Sequence, residues 1–199
     1  MIYYLFKYII MPIYFLFRMP RIFGRENLKS IKSGKAVIIC NHRSMLDPIF
    51  LALTTNRFIH FMAKAELFNN KFLAALLKGL LVFPVNRGST DVKALKEALE
   101  VLDKGCVFGI FPEGTRSITN DVDIFENGAA FLAMRAEAPI LPMYIPANNY
   151  GLFKRPRLYI GKLITPDEYN FTGSKSAAAK KLTHMLEERV DDLRKLSEE

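Results

Sequence analysis

From residue 36 onward the chain alternates short apolar runs of β character with stretches of helical periodicity, and that alternation leaves little choice of fold. The runs Ala36 to Cys40, Phe58 to Met62, Leu81 to Val85, Cys106 to Phe111, Ile140 to Ile145 and Arg157 to Ile160 read as strands. Between two of them, Asp91 to Asp103 reads as a helix. Val92, Leu95, Leu99 and Leu102 fall on one face, Ser89 or Thr90 supplies the N-cap, and Gly105 is the stop signal. Residues 46–54, 70–80, Asn127 to Glu137 and Ser174 to Glu199 complete the helical set, while Ile22 to Lys35, Asn148 to Pro156 and Thr165 to Ser174 read as connections. A helix joining consecutive strands is the crossover a parallel sheet needs. The expectation is α/β: a single domain with a mostly parallel β-sheet flanked by helices. At 199 residues the chain is long enough for one such core and short for two.

A different segment precedes this domain. Residues 1–17 are almost entirely apolar, interrupted by Lys7 and Pro12, and Tyr3, Tyr4, Phe6, Tyr8, Tyr14, Phe15 and Phe17 make them unusually aromatic. As a helix they would span about 25 Å at ~1.5 Å per residue, marginal against a hydrocarbon core of roughly 30 Å. Aromatic rings suit the membrane interface, and Arg18, Arg21 and Arg25 follow where anionic headgroups would lie. With neither a leading basic region nor small residues at a cleavage site, the segment is expected to stay on the mature protein. Residues 1–20 are thus expected to form an apolar membrane-associating helix ahead of a domain over residues 21–199. A core helix packed on the domain is the competing reading.

Charge and cysteine content narrow the partners. Lys and Arg outnumber Asp and Glu by 28 to 20, a formal charge of +8 that attracts phosphate-bearing partners. Nucleic acid is not expected, because finger spacings, RNP-like aromatic runs and dense arginine blocks are all missing from the sequence. Cys40 and Cys106 lie in apolar runs and read as buried reduced thiols.

Chemistry gathers at the ends of three strands. After Ala36 to Cys40 comes Asn41-His42-Arg43-Ser44-Met45-Leu46-Asp47, in which His42 can act as a base and Asp47 can orient it. Alone, the pair reads equally as a partly buried histidine and a helix-capping aspartate. After Cys106 to Phe111 comes Pro112-Glu113-Gly114-Thr115-Arg116-Ser117, offering close backbone approach, a hydroxyl and a guanidinium suited to phosphate. With Gly109 the run imitates a phosphate loop, but it has no lysine and Pro112 has no N–H to donate. The third run, Gly79 to Arg87, again ends on a cation. Open α/β sheets bind ligands beyond the carboxyl ends of their strands, so Arg87 and Arg116 are placed to converge near His42.

These runs resemble, in order, the signatures of the glycerolipid acyltransferases. Asn41 to Asp47 is similar to their His-x4-Asp motif, Phe111 to Ser117 to the second signature, Gly79 to Arg87 to the intervening block, and Pro139 to Pro142 to the fourth; Lys64 to Phe68 also matches. The resemblance implies transfer of a fatty acyl group from an acyl-CoA or acyl carrier protein thioester to the 2-hydroxyl of 1-acyl-glycerol-3-phosphate (lysophosphatidic acid). His42 would be general base and Asp47 its orienter. Arg87, Glu113, Gly114, Thr115 and Arg116 would shape the acceptor-phosphate site, with Asn41 and Ser44 ordering the loop. No metal and no cofactor beyond the thioester co-substrate is implied, since a thiol of pKa ~8.5 leaves readily. Membrane lipids are the expected surroundings, on the cytoplasmic face of the cell membrane. The apolar helices near residues 49–53 and 72–82 would help form a groove for acyl chains, or else simply cover the sheet. Glu126 departs from the pattern, standing where many relatives carry lysine. Two other readings fit the same residues: a different lysolipid acceptor, or a non-catalytic module binding anionic lipid.

Overall fold

The computed structural model describes residues 2–86, 91–114, 124–147, 149–151 and 154–199. Seven strands form one sheet: β1 (Arg21–Phe23), β2 (Ala36–Cys40), β3 (Ile59–Lys64), β4 (Val82–Val85), β5 (Val107–Ile110), β6 (Ile140–Tyr144) and β7 (Arg157–Ile160). Their spatial order is β1-β7-β6-β2-β5-β3-β4. Strands β2 to β6 run parallel, β7 lies antiparallel to β6, and β1 pairs parallel with β7.

Burial explains why the central strands are so uniformly apolar. Every residue of β2, β5 and β6 is buried, because helices cover both faces of the sheet. Alternate side chains feed two cores. Val37 and Ile39 join the core closed by α5 (Val92–Asp103), α6 (Gly128–Ala136) and α7 (Lys175–Leu196). Ala36, Ile38 and Cys40 join the other, with Phe50 and Leu51 of α3 (Asp47–Thr54). Helix α7 presents Ala178, Leu182, Leu186, Val190 and Leu193 to the first core at helical spacing and leaves its charged residues outside.

Three local expectations are corrected. The stretch Ile22 to Lys35 is not a plain connection: Arg21–Phe23 forms edge strand β1, and Arg25–Ile31 is a 3-10 helix that buries Ile31. Three residues are too few to display a period. Gly24 joins the two at φ 71°, where a Cβ would stand 2.1 Å from the Ile160 carbonyl oxygen, so only glycine fits. Helix α5 is capped by Asp91, whose carboxylate accepts from the Ala94 N–H and from both N–H groups that Asn86 offers. Ser89 and Thr90 lie outside the described residues. Strand β3 starts one residue late because the Phe58 ring turns to the N-terminal helix, where it meets Tyr3 and Tyr4 edge-on.

That helix runs through α1 (Ile2–Leu5), a π-helical turn (Phe6–Ile10) and α2 (Met11–Arg18). Pro12 cannot donate to the carbonyl one turn back, and the wider π turn accommodates the loss. One face packs on the domain. The Tyr3 hydroxyl accepts the Ile59 N–H at 3.0 Å, Tyr14 lies against Phe50, and the Arg18 guanidinium donates to the Gly151 carbonyl. The other face exposes Tyr4, Leu5, Tyr8, Ile9, Ile13, Leu16 and Phe17. The packed face is that of a core helix, and the opposite face is apolar and exposed. Among the described residues no helix is long and apolar enough to cross a membrane.

Lys7 is buried on the packed face, its ammonium 4.8 Å from the Phe58 ring centroid and without a hydrogen-bond partner among the described residues. Burial, seconded by the Arg57 charge, lowers its pKa to about 8. The folded chain therefore holds this proton less tightly than the unfolded chain, and the penalty present below pH 8 fades as pH climbs from 8 towards 10.5. Lys7→Met should melt about 2–6 °C above wild type at pH 7. Thermal melts across that window should show the gap closing as pH rises; a gap independent of pH would remove the buried charge as its cause.

Candidate active site

Three side chains and one backbone turn organise the carboxyl end of β2. Asn41, fully buried, extends the pairing of β2 with β6: its amide donates to the Ile145 carbonyl at 2.8 Å, and its Oδ1 accepts the Ile145 N–H at 2.7 Å. The backbone leaves the sheet at His42, whose N–H donates to Glu113 Oε2 at 2.9 Å. Glu113, buried in the turn after β5, thereby ties the two neighbouring strand ends together. Its carboxylate thus holds the histidine loop from the same turn that carries Gly114.

Asp47 opens α3 but does not cap it. Its carboxylate turns back over the loop: Oδ2 accepts from His42 Nδ1 at 2.9 Å, from the Arg43 N–H at 2.6 Å and from the Ser44 N–H at 2.7 Å. Oδ1 accepts the Tyr150 hydroxyl at 2.7 Å. Ser44 adds two further ties, its Oγ accepting the Leu46 N–H and its carbonyl the Asp47 N–H. The Asp47 side chain is wholly buried while that of His42 keeps 14% exposure, so the pair has one dry end and one open end. A carboxylate with this many donors is the acceptor for Nδ1–H, which fixes the tautomer and leaves Nε2 with its lone pair free for a substrate.

The ring of His42 is held from the side as well. It stacks on Phe111 with centroids 4.3 Å apart, and Phe111 stacks on Phe61 at 5.9 Å. Room for Phe61 comes from Gly109 of β5, where a Cβ would stand 2.2 Å from the ring. Gly109 thus serves the aromatic stack, not a phosphate loop. Cys40, just behind, is fully buried, and desolvation with the nearby Asp47 and Glu113 charges holds its thiol protonated.

Gly114 adopts φ 67° beside Glu126, whose carboxylate a Cβ at Gly114 would strike at 2.7 Å. An acidic group, then, occupies the position where the resemblance leads one to look for lysine. Arg87, Thr115 and Arg116 lie outside the described residues. Among the described residues no group of His, Cys, Asp and Glu is placed to hold a metal ion.

Beside the pair lies a cavity of about 470 Å³, bounded by Phe6, Ile10, Tyr14 and Arg18 of the N-terminal helix, by Leu46, Ile49, Phe50 and Leu53, and by Tyr150 and Gly151. Ile49, Phe50 and Leu53, from the stretch expected at a groove, thus line an apolar space that meets Asp47 through Tyr150. Residues 72–82 do not: Phe72 and Leu76 of α4 (Lys71–Gly79) point outward. A larger cavity of about 990 Å³ opens among α5, α6 and α7; neither cavity is lined by His42 or Asp47 themselves, and the smaller one includes Tyr150, which bonds Asp47. Tyr150, Phe61 and Phe111 escaped sequence reasoning as site residues. Only Phe111, inside its motif, carried a signal that could have found it.

Comparison with known proteins identifies the family. The family model described as Acyltransferase matches residues 20–146. A 1-acyl-sn-glycerol-3-phosphate acyltransferase of Bacillus subtilis is 34% identical over 178 residues, covering 87% of this chain and 87% of that protein. One from Streptococcus pneumoniae is 35% identical over 127 residues, 61% of this chain and 46% of its own length. The crystal structure of the 1-acyl-sn-glycerophosphate (LPA) acyltransferase PlsC from Thermotoga maritima shares the fold, with a TM-score of 0.71 at 24% identity over 94% of this chain and 76% of that one. The chain belongs to the acyltransferase family.

Proposed function

We propose that the protein transfers a fatty acyl group from an acyl-CoA or acyl carrier protein thioester to the 2-hydroxyl of 1-acyl-glycerol-3-phosphate, giving phosphatidic acid. The activity for which the Bacillus subtilis relative is named supports the acceptor. The observation that carries the chemistry is the His42–Asp47 pair, buried at Asp47 and open at His42, beside an apolar cavity.

In this reading His42 Nε2 takes the proton of the acceptor hydroxyl as its oxygen attacks the thioester carbonyl. Asp47 stabilises the imidazolium that results. As the tetrahedral intermediate collapses, the C–S bond breaks, the ester C–O bond remains, and the thiolate takes the proton back from His42. No covalent enzyme intermediate, metal or resident cofactor has a step to perform. Arg87, Thr115 and Arg116, with the Gly114 turn, are assigned to the acceptor phosphate, where a guanidinium binds two oxygens at once. The cavity beneath Tyr150 takes an acyl chain.

The exposed apolar face of the N-terminal helix lies in a membrane surface on its cytoplasmic side, with residues 1–20 as the membrane-associating unit and residues 21–199 as the catalytic one. Held there, the domain takes lipid from the bilayer without drawing it through water.

Purified protein given lysophosphatidic acid and an acyl thioester should release free thiol and form phosphatidic acid. His42→Ala should reduce the rate by about 10³-fold or more. Equal rates in the two proteins would defeat the base assignment, and an inactive wild type would defeat the reading.

A further inference from the structure

Residues 149–151 form a short strap joining three parts of the molecule. Asn149 brackets the backbone of Arg157, donating to its carbonyl at 3.0 Å and accepting its N–H at 2.7 Å, which pins the strap to β7. Gly151 takes the guanidinium of Arg18 on its carbonyl, which pins the strap to the end of the N-terminal helix. Between them Tyr150 faces two ways. Its hydroxyl reaches Asp47 Oδ1 at 2.7 Å, across 103 positions of sequence, and its ring meets Phe50 edge-on at 5.9 Å on the wall of the apolar cavity.

We infer that Tyr150 is a positioning residue: its hydroxyl locks the Asp47 carboxylate, and through it the His42 ring, while its ring ties that lock to the cavity and the N-terminal helix. The inference rests on the acyl-transfer reading.

The reasoning is geometric. Three N–H donors converge on Oδ2, all from residues 42–44 of one loop, and they alone leave the carboxylate free to tilt towards the open side. A donor on Oδ1 from a separate part of the fold fixes the second oxygen and so the plane of the carboxylate. The direction of this bond is unambiguous. Burial and the Asp47 charge push the phenol pKa far above its ordinary value, so the hydroxyl keeps its proton and donates. Because the same side chain walls the cavity, an occupant there presses on the residue that aligns the base.

Tyr150→Phe removes the hydroxyl and keeps the ring. Assayed with lysophosphatidic acid and an acyl-CoA, it should lose roughly tenfold in kcat, the scale of one hydrogen bond to a charged group, with KM within about twofold of wild type. Stripped of one donor, the carboxylate is a stronger acceptor towards the ring, so the acid limb of the kcat/KM profile should move to higher pH. In an Asp47→Ala background the same change should cost about twofold or less, because no carboxylate is left for the hydroxyl to align. Tyr150→Leu should in addition alter the preference among acyl chain lengths, since it also removes part of the cavity wall.

An inactive wild type would overturn the acyl-transfer reading itself. An active wild type with unchanged kcat and pH profile in Tyr150→Phe would overturn the role of Tyr150. A tenfold loss that persists in full in the Asp47→Ala background would mark packing alone and overturn it too.

Discussion

Asp47→Asn should lower kcat by about 10²–10³ while leaving the fold intact, and the hydrogen bonds show why the loss is chemical. Three N–H groups point at Oδ2, so an asparagine must place its oxygen there and its NH2 towards Tyr150. The tyrosine hydroxyl can rotate to accept instead of donate. Geometry and tautomer both survive; the negative charge that stabilises the imidazolium does not. Asp47→Ala differs in kind. It strands two backbone N–H groups and the ring N–H of His42, and should destabilise the protein by about 2–4 kcal/mol in addition to losing activity. Steady-state kinetics and denaturant melts on both variants separate the charge from the scaffold. An Asp47→Asn protein with wild-type kcat would show that the carboxylate only holds the loop.

The contrast between Asp47 and Tyr150 shows what the sequence made legible. His42 and Asp47 sit five positions apart at the end of an apolar run, so their meeting is local and readable from spacing. Strands β2, β5 and β6 were equally plain, because parallel strands buried on both faces are written as unbroken apolar runs. Edge strand β1 was not: three residues, Arg21 to Phe23, take their structure from β7, over 130 positions away. Tyr150 stayed hidden for the same reason, as a tyrosine in a loop whose partner lies 103 positions upstream. Nor did the sequence reveal that the N-terminal helix has two different faces. Its apolar residues go all the way round, and only packing decides that Tyr3 is buried while Tyr8 is exposed. The bond from the His42 N–H to Glu113 was hidden as well, because a carboxylate within a phosphate-like turn gives no sign of a partner 71 positions away.

Gly109→Ala carries the other large expected effect, and it acts without touching His42. A methyl group at position 109 would stand 2.2 Å from the Phe61 ring, far inside contact distance, and Phe61 is itself buried at 4% exposure with Phe111 stacked beyond it. The ring must therefore shift, and the buried Phe61 can pass that shift only along the stack, through Phe111 to the partly exposed His42. Overpacking of this kind costs about 1–3 kcal/mol, a fall in Tm of about 3–9 °C. Displacing the His42 ring by a fraction of an ångström should take roughly another 10- to 100-fold from kcat, since an aligned base loses efficiency quickly with misplacement. The compensating pair decides between this account and a general loss of stability. Phe61→Leu in the Gly109→Ala background vacates the contested space, so it should restore much of the Tm. Activity should recover with it only if Phe111 regains its place against His42. A double variant that recovers its Tm and remains slow would show that the aromatic stack itself, and not merely room at Gly109, holds the base in position.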